Sequence, residues 1–152
     1  MNIYISSSWE NRDEVRRMAV MLRSCGYSVY DFTDADSPKN TEIPCKKYPE
    51  EFDPGIHKYS IYINKPAWKS LAMANLRTIQ TADFIILLLP CDANSHICWA
   101  YGVGLGIPSA VVGQPRKGEK TPLHHLADHF FDTVDDFISW IEVKEMAQGV
   151  KI

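Results

Sequence analysis

The chain has 152 residues, a length that fits one domain of ordinary size and excludes a two-domain enzyme. Hydrophobic residues at 45% and charged residues at 23% are a globular composition, which excludes a disordered or low-complexity chain. Sixteen Lys and Arg against nineteen Asp and Glu leave a net charge of −3, so there is no positive excess to draw in nucleic acid or an anionic membrane surface.

Residues Asn2 to Ser6 read as a short buried strand, ending in the hydroxyl-rich loop Ser6-Ser7-Ser8. A helix is expected from about Asn11 to Ser24, because Val15, Met18, Ala19 and Leu22 fall at i, i+3, i+4 and i+7. Gly26 is a fitting stop. Tyr27 to Phe32 reads as a second strand. From Thr33 to Pro66 the periodicity breaks amid five prolines and many charges, which predicts a long loop of functional kind. Its aromatics Tyr48, Phe52, Tyr59 and Tyr62 predict that it packs on something.

A second helix is expected from about Ala67 to Thr81, with Trp68, Leu71, Ala72, Leu76 and Ile79 as its apolar face. Phe84 to Leu89 is a continuous apolar run, as a strand covered on both faces requires. That run is far short of the about 20 residues that span a bilayer. Pro90 to Ser95 reads as a loop and His96 to Leu105 as a glycine-rich helix ended by Gly106-Ile107-Pro108. Ser109 to Val112 reads as a strand, Gly113 to Pro122 as a polar loop, Phe130 to Thr133 as a last strand and Val134 to about Met146 as a closing helix. The alternation predicts a doubly wound three-layer α/β/α fold with a five-stranded, mainly parallel sheet of flavodoxin or Rossmann type. The domain spans residues 1–146, and 147–152 form a tail.

In such a sheet, ligands bind beyond the carboxyl ends of the strands at the switch point. Ser6 to Trp9, Asp31 to Thr33, Pro90 to His96 and Gly113 to Arg116 then surround one cleft, with loop 33–66 over it. Each candidate carries two readings. Ser6, Ser7 and Ser8 bind a phosphate or base, or they cap the following helix. Trp9 stacks on a base, or it packs. Asp31 meets ligand, or it meets the neighbouring loop. Asp92 binds a sugar hydroxyl, or it is a solvated turn residue. Gly102, Gly104 and Gly106 form a phosphate loop, or, since they follow the helix start, they allow close packing of helix on sheet. His124, His125 and His129 form a cluster, or they read as a solvated segment, which is the expectation.

The four cysteines, at 25, 45, 91 and 98, include no CxxC pair, and no HExxH pattern occurs, so neither a metal nor a cofactor is expected. The N-terminal MNIYISSSW lacks a basic region followed by an apolar core, so a cytoplasmic protein with reduced thiols is expected.

Leu88-Leu89-Pro90-Cys91, then Ser95-His96, then Ala100-Tyr101-Gly102 and Gly106-Ile107-Pro108, resemble the nucleoside 2-deoxyribosyltransferase-like family. So do Val29-Tyr30-Asp31-Phe32 and the stretch from Leu123 to Phe137. The resemblance implies cleavage of the bond between a base and its (deoxy)ribose, the sugar passing to another base or to water. It implies a Glu nucleophile in a pattern like Ser-x-His-x-Glu, at the position held here by Cys98. It implies an assisting Asp eight residues before Asp83, at the position held by Asn75. Ser95 and His96 match the motif, with helix capping as the other reading of Ser95.

Retaining glycosyl transfer needs a carboxylate to attack and a proton donor for the leaving base. Cysteine is mostly a neutral thiol near pH 7, and an amide cannot shuttle a proton. The reading is therefore a protein that binds a nucleoside or nucleotide-derived small molecule with N-glycosidic activity lost or altered. The alternatives are an active N-glycosidase or deoxyribosyltransferase on a nucleotide or NAD-like substrate using Cys98, Glu50, Glu51 or Asp92, and a structural subunit whose pocket its own loop fills. The resemblance also implies a homodimer or higher homo-oligomer, with which Trp99 and Tyr101 are consistent.

Overall fold

The computed structural model describes residues 1–34 and 52–149. Ten elements follow in chain order: β1 (Asn2–Ser6), α1 (Arg12–Ser24), β2 (Ser28–Tyr30), α2 (Tyr59–Ile63), α3 (Pro66–Gln80), β3 (Phe84–Leu88), α4 (Ala93–Gly104), β4 (Ser109–Val112), β5 (His129–Phe131) and α5 (Val134–Gly149). Short 3-10 turns lie at Trp9–Asn11 and Pro122–Leu126. The five strands form one sheet in the order β2-β1-β3-β4-β5, and all four pairings are parallel. The chain leaves β1 towards β2 on one side and returns to β3 on the other, which makes the β1/β3 boundary the switch point.

Residues of β3 alternate between two cores, as a strand's period of two dictates. Phe84, Ile86 and Leu88 join Val15, Met18, Ala19 and Leu22 of α1 and Phe137, Ile138 and Ile141 of α5. Ile85 and Leu87 join Ile79 of α3 and Cys98 and Trp99 of α4. Every residue of β3 is buried, in keeping with its unbroken apolar run. The α1 stripe read from periodicity is the set of residues that this helix buries. Gly26 follows the helix at φ +87°, a conformation glycine adopts without strain. No helix among the described residues is long and apolar enough to cross a membrane.

Several boundaries differ from the sequence reading: β2 ends at Tyr30 rather than Phe32, and β5 runs from His129 to Phe131 rather than from Phe130 to Thr133. The segment expected to be loop from 33 to 66 contains α2. Only Tyr62 of its five residues is buried, so no apolar stripe marks it. Tyr62 packs against Phe52 at 5.1 Å between ring centroids and against Trp68 at 5.6 Å, and Phe52 meets Tyr59 at 5.4 Å. The aromatics of this stretch thus pack on one another and on the start of α3; Tyr48 lies outside the described residues. Helix α4 begins at Ala93 rather than His96, because Asp92 is its N-cap. Helix α5 continues to Gly149, past the expected end near Met146.

Candidate functional site

The cleft opens at the switch point, where the loop after β1, the end of β2, the inner face of α3 and the first turns of α4 converge. Its walls include Tyr4, Ser6, Ser7, Ser8, Trp9, Tyr30, Phe32, Asn75, Thr78, Asp92, Asn94, Ser95 and Cys98, around about 760 Å³ of space open to solvent. Asp92 is the single charged side chain among the described residues that line it. Two aromatic pairs flank the opening. Tyr4 and Tyr30, paired in register across β1 and β2, stack at 4.9 Å. Trp9 lies 6.1 Å from Phe32, with the Arg12 guanidinium 5.6 Å over its ring.

The three serines play different parts. Ser6 Oγ donates to the Ser95 carbonyl at 2.7 Å, and Ser7 Oγ donates to the Leu88 carbonyl at 2.8 Å. Both hydroxyl protons are therefore committed to holding the loop against β3 and α4. Ser8 Oγ is buried and finds no hydrogen-bond partner among the described residues. An unpaired buried hydroxyl carries a desolvation cost, and a ligand seated in the cleft would relieve it.

Asp92 Oδ1 accepts from the Ser95 N–H at 2.8 Å and from Ser95 Oγ at 2.6 Å. Capping thus belongs to Asp92, and Ser95 sits in the first turn of α4 rather than before it. Asn75, on α3, and Cys98, on α4, face the same cleft. Cys98 is 8% exposed. Burial pushes its thiol up, a hydrogen bond with Tyr4 opposes this, and the Asp92 charge adds to the rise. Cys98 is therefore a neutral thiol near neutral pH, a poor attacking group.

Asp31 and His96 are not among the residues lining this cleft. Asp31 is 2% exposed and accepts from Arg23 Nη2 at 2.7 Å and from the Thr33 N–H at 2.9 Å, an ion pair and a turn at the end of β2. His96 faces a second groove on the far side of α4, lined also by Cys91, Ile97, Glu119 and Leu123. There its Nε2 lies 3.0 Å from His124 Nε2 and its Nδ1 2.8 Å from the Asp92 carbonyl. His124 is thus packed, not solvated, and His129 lies 4.5 Å from the Trp140 ring. Burial, then the charge of His96, hold His124 below the usual imidazole value, while Glu119 pulls the other way. Trp99 is core at 1% exposure, and the Tyr101 hydroxyl accepts from Gln80 Nε2 at 2.9 Å. Trp99 is thus a core residue, while Tyr101 is partly exposed. Glu50 and Glu51 lie outside the described residues.

Sequence reasoning passed over Tyr4, Tyr30 and Thr78 as cleft residues. The first two carried a signal: aromatics at matching positions of two strands expected to be parallel neighbours.

No protein-family model matches the chain, and no curated protein sequence matches it. Solved structures share its fold. A 2-deoxyribosyltransferase from Bacillus psychrosaccharolyticus is similar over 91% of this chain and 90% of its own, at 18% identity and a TM-score of 0.61. A CMP N-glycosidase from Clostridium botulinum is similar over 93% and 99%, at 10% identity and a TM-score of 0.53. A conserved protein from Enterococcus faecalis is similar over 95% and 98%, at 14% identity and a TM-score of 0.56. At identities this low the likeness is one of fold, a flavodoxin-like α/β domain.

Proposed function

We propose that the chain binds a nucleoside in the switch-point cleft and has lost, or much weakened, the ability to cleave its N-glycosidic bond. The observation that carries the reading is the pairing of Cys98 and Asn75 on the walls of one cleft. The family resemblance puts the nucleophilic Glu and the assisting Asp at these two positions. The aromatic pairs offer stacking surfaces for a base. Ser8 Oγ, Asn75 and the second oxygen of Asp92 offer polar contacts for a sugar. No Lys or Arg is among the described lining residues, so the ligand class favoured is a neutral nucleoside over a phosphorylated one. A homodimer in the cytoplasm, without a cofactor, completes the proposal.

A second reading has one observation in its favour. Asp92 is a carboxylate in the cleft, and its Oδ2 makes no hydrogen bond among the described residues. A glycosidase could use it. Retaining chemistry, however, needs two carboxyl groups about 5 Å apart, and the described lining holds one.

The test is chromatography for free base with the native chain and the double variant Cys98→Glu, Asn75→Asp. Base release appearing only in the double variant supports a degenerate transferase. Robust release by the native chain, abolished by Cys98→Ala or Asp92→Ala, selects the enzyme reading instead. Loss of a covalent nucleophile costs several orders of magnitude in rate, whereas ground-state binding rests on other contacts.

A further inference from the structure

We propose that Cys91 Sγ, His96 Nδ1 and the Glu119 carboxylate form a three-ligand site for a divalent cation of the zinc class, on the side of α4 away from the nucleoside cleft. The three residues lie in the segment after β3, the first turn of α4 and the loop after β4, and one ligand atom from each lies within 4.8 Å of the others. No short spacing announces this in the sequence, because Glu119 is 28 residues from Cys91.

The distances suit the ion. Bonds of about 2.3 Å to sulfur and 2.0–2.1 Å to nitrogen in a tetrahedral shell put the two donors roughly 3.5 Å apart. Cys91 Sγ lies 3.5 Å from His96 Nδ1.

The surroundings fix the donors. The Cys91 N–H donates to Glu119 Oε1 at 2.6 Å and the Arg116 N–H donates to Oε2 at 2.8 Å, so the carboxylate is held from behind with lone pairs to spare. On the far side of the imidazole, His96 Nε2 meets His124 Nε2 at 3.0 Å. A ligating histidine commonly gives its other ring proton to an outer partner of this kind. Without metal, Nδ1 carries the proton, since the Asp92 carbonyl 2.8 Å away can only accept. With metal, Nδ1 gives that proton to solvent and Nε2 takes one up from solvent, while His124 exchanges its own proton from Nε2 to Nδ1, so that His124 Nε2 accepts from His96 Nε2–H. The thiol proton of Cys91 leaves to solvent as the sulfur–metal bond forms. A thiolate and a carboxylate then balance the two positive charges.

The donor set selects the metal class. Sulfur with imidazole suits zinc or cobalt, whereas magnesium and calcium take oxygen shells. Three protein ligands leave the fourth position of a tetrahedral shell to water or a small ligand.

The experiment uses the full chain, stripped with chelator and titrated with Co2+ and then Zn2+. The expected result is one equivalent bound, with a thiolate-to-cobalt charge-transfer band in the near ultraviolet that Zn2+ abolishes. Cys91→Ser removes the band, and a Cys25→Ser, Cys45→Ser control keeps it. Glu119→Gln keeps the band and weakens affinity by about 10-fold or more. Absence of the band in the native chain overturns the proposal whatever the variants do. So does a band that survives Cys91→Ser.

Discussion

Ser6 and Ser95, 89 residues apart, are joined by a buried 2.7 Å hydrogen bond from the Ser6 hydroxyl to the Ser95 carbonyl. The bond ties the end of β1 to the first turn of α4, two elements that line the cleft. Ser6→Ala removes one of that carbonyl's two donors, since inside α4 it also accepts the helical N–H four residues on. The expected loss is about 0.5–1.5 kcal/mol, that of one net hydrogen bond. Urea unfolding of the two proteins measures it. An unchanged midpoint would show that the tie contributes nothing.

Gly113 leads from β4 into the loop that carries Glu119. Its φ is +94°, and a Cβ there would lie 2.6 Å from the Leu89 carbonyl oxygen, a backbone atom that cannot rotate away. Gly113→Ala is expected to cost more than the about 1–2 kcal/mol of a left-handed residue alone. Gly118→Ala, at φ +89° with nothing within 4 Å, should show only the backbone cost. Thermal unfolding of both variants separates strain from collision. Equal losses would contradict the assignment.

His124 gives the fold a pH dependence of known sign. Its folded value lies below 6.5, through burial first and the charge of His96 second. The unfolded chain therefore binds more protons between the two values, and stability rises with pH there. The contribution is complete above the unfolded value and is lost as pH falls through the folded one. Glu119 is the acidic group facing this pair. Burial raises its value, but the Cys91 and Arg116 N–H bonds and the Arg116 charge prevail and hold it low. Its contribution is present above about 4.5 and fades below its folded value. Denaturant unfolding in chelator should show stability falling from about pH 7 to pH 5.5, with a flatter profile in His124→Gln. Stability increasing over that range would refute the sign.

The fold was legible because its signals are local and strong. The α1 stripe, the apolar run of β3 and the Gly26 stop each correspond to an observed element. Helix α2 was not legible, since five residues with one buried side chain carry no period. The α4 start was misplaced because Ser95-His96 drew the boundary, while Asp92, an equally good cap three residues earlier, holds it. For the site, the switch point placed Ser6 to Trp9 and Asp92 to Ser95 around the cleft. It also suggested Asp31 and His96, which the fold turns to an ion pair and to a second groove. The pairing of Cys91 and His96 with Glu119 and His124 depends on loop paths that no spacing records.

The central claim, binding without turnover, meets its most direct test in one titration. Calorimetry of the native chain with a panel of purine and pyrimidine nucleosides should detect at least one ligand. Chromatography of the same mixtures should find no free base. Ser8→Ala should leave the free protein as stable or slightly more stable, since it removes an unpaired buried hydroxyl, and should weaken binding about 2- to 10-fold. Heat on mixing with no base released, reduced in Ser8→Ala, is the predicted result. No binding by any nucleoside, or steady base release by the native chain, would contradict the account.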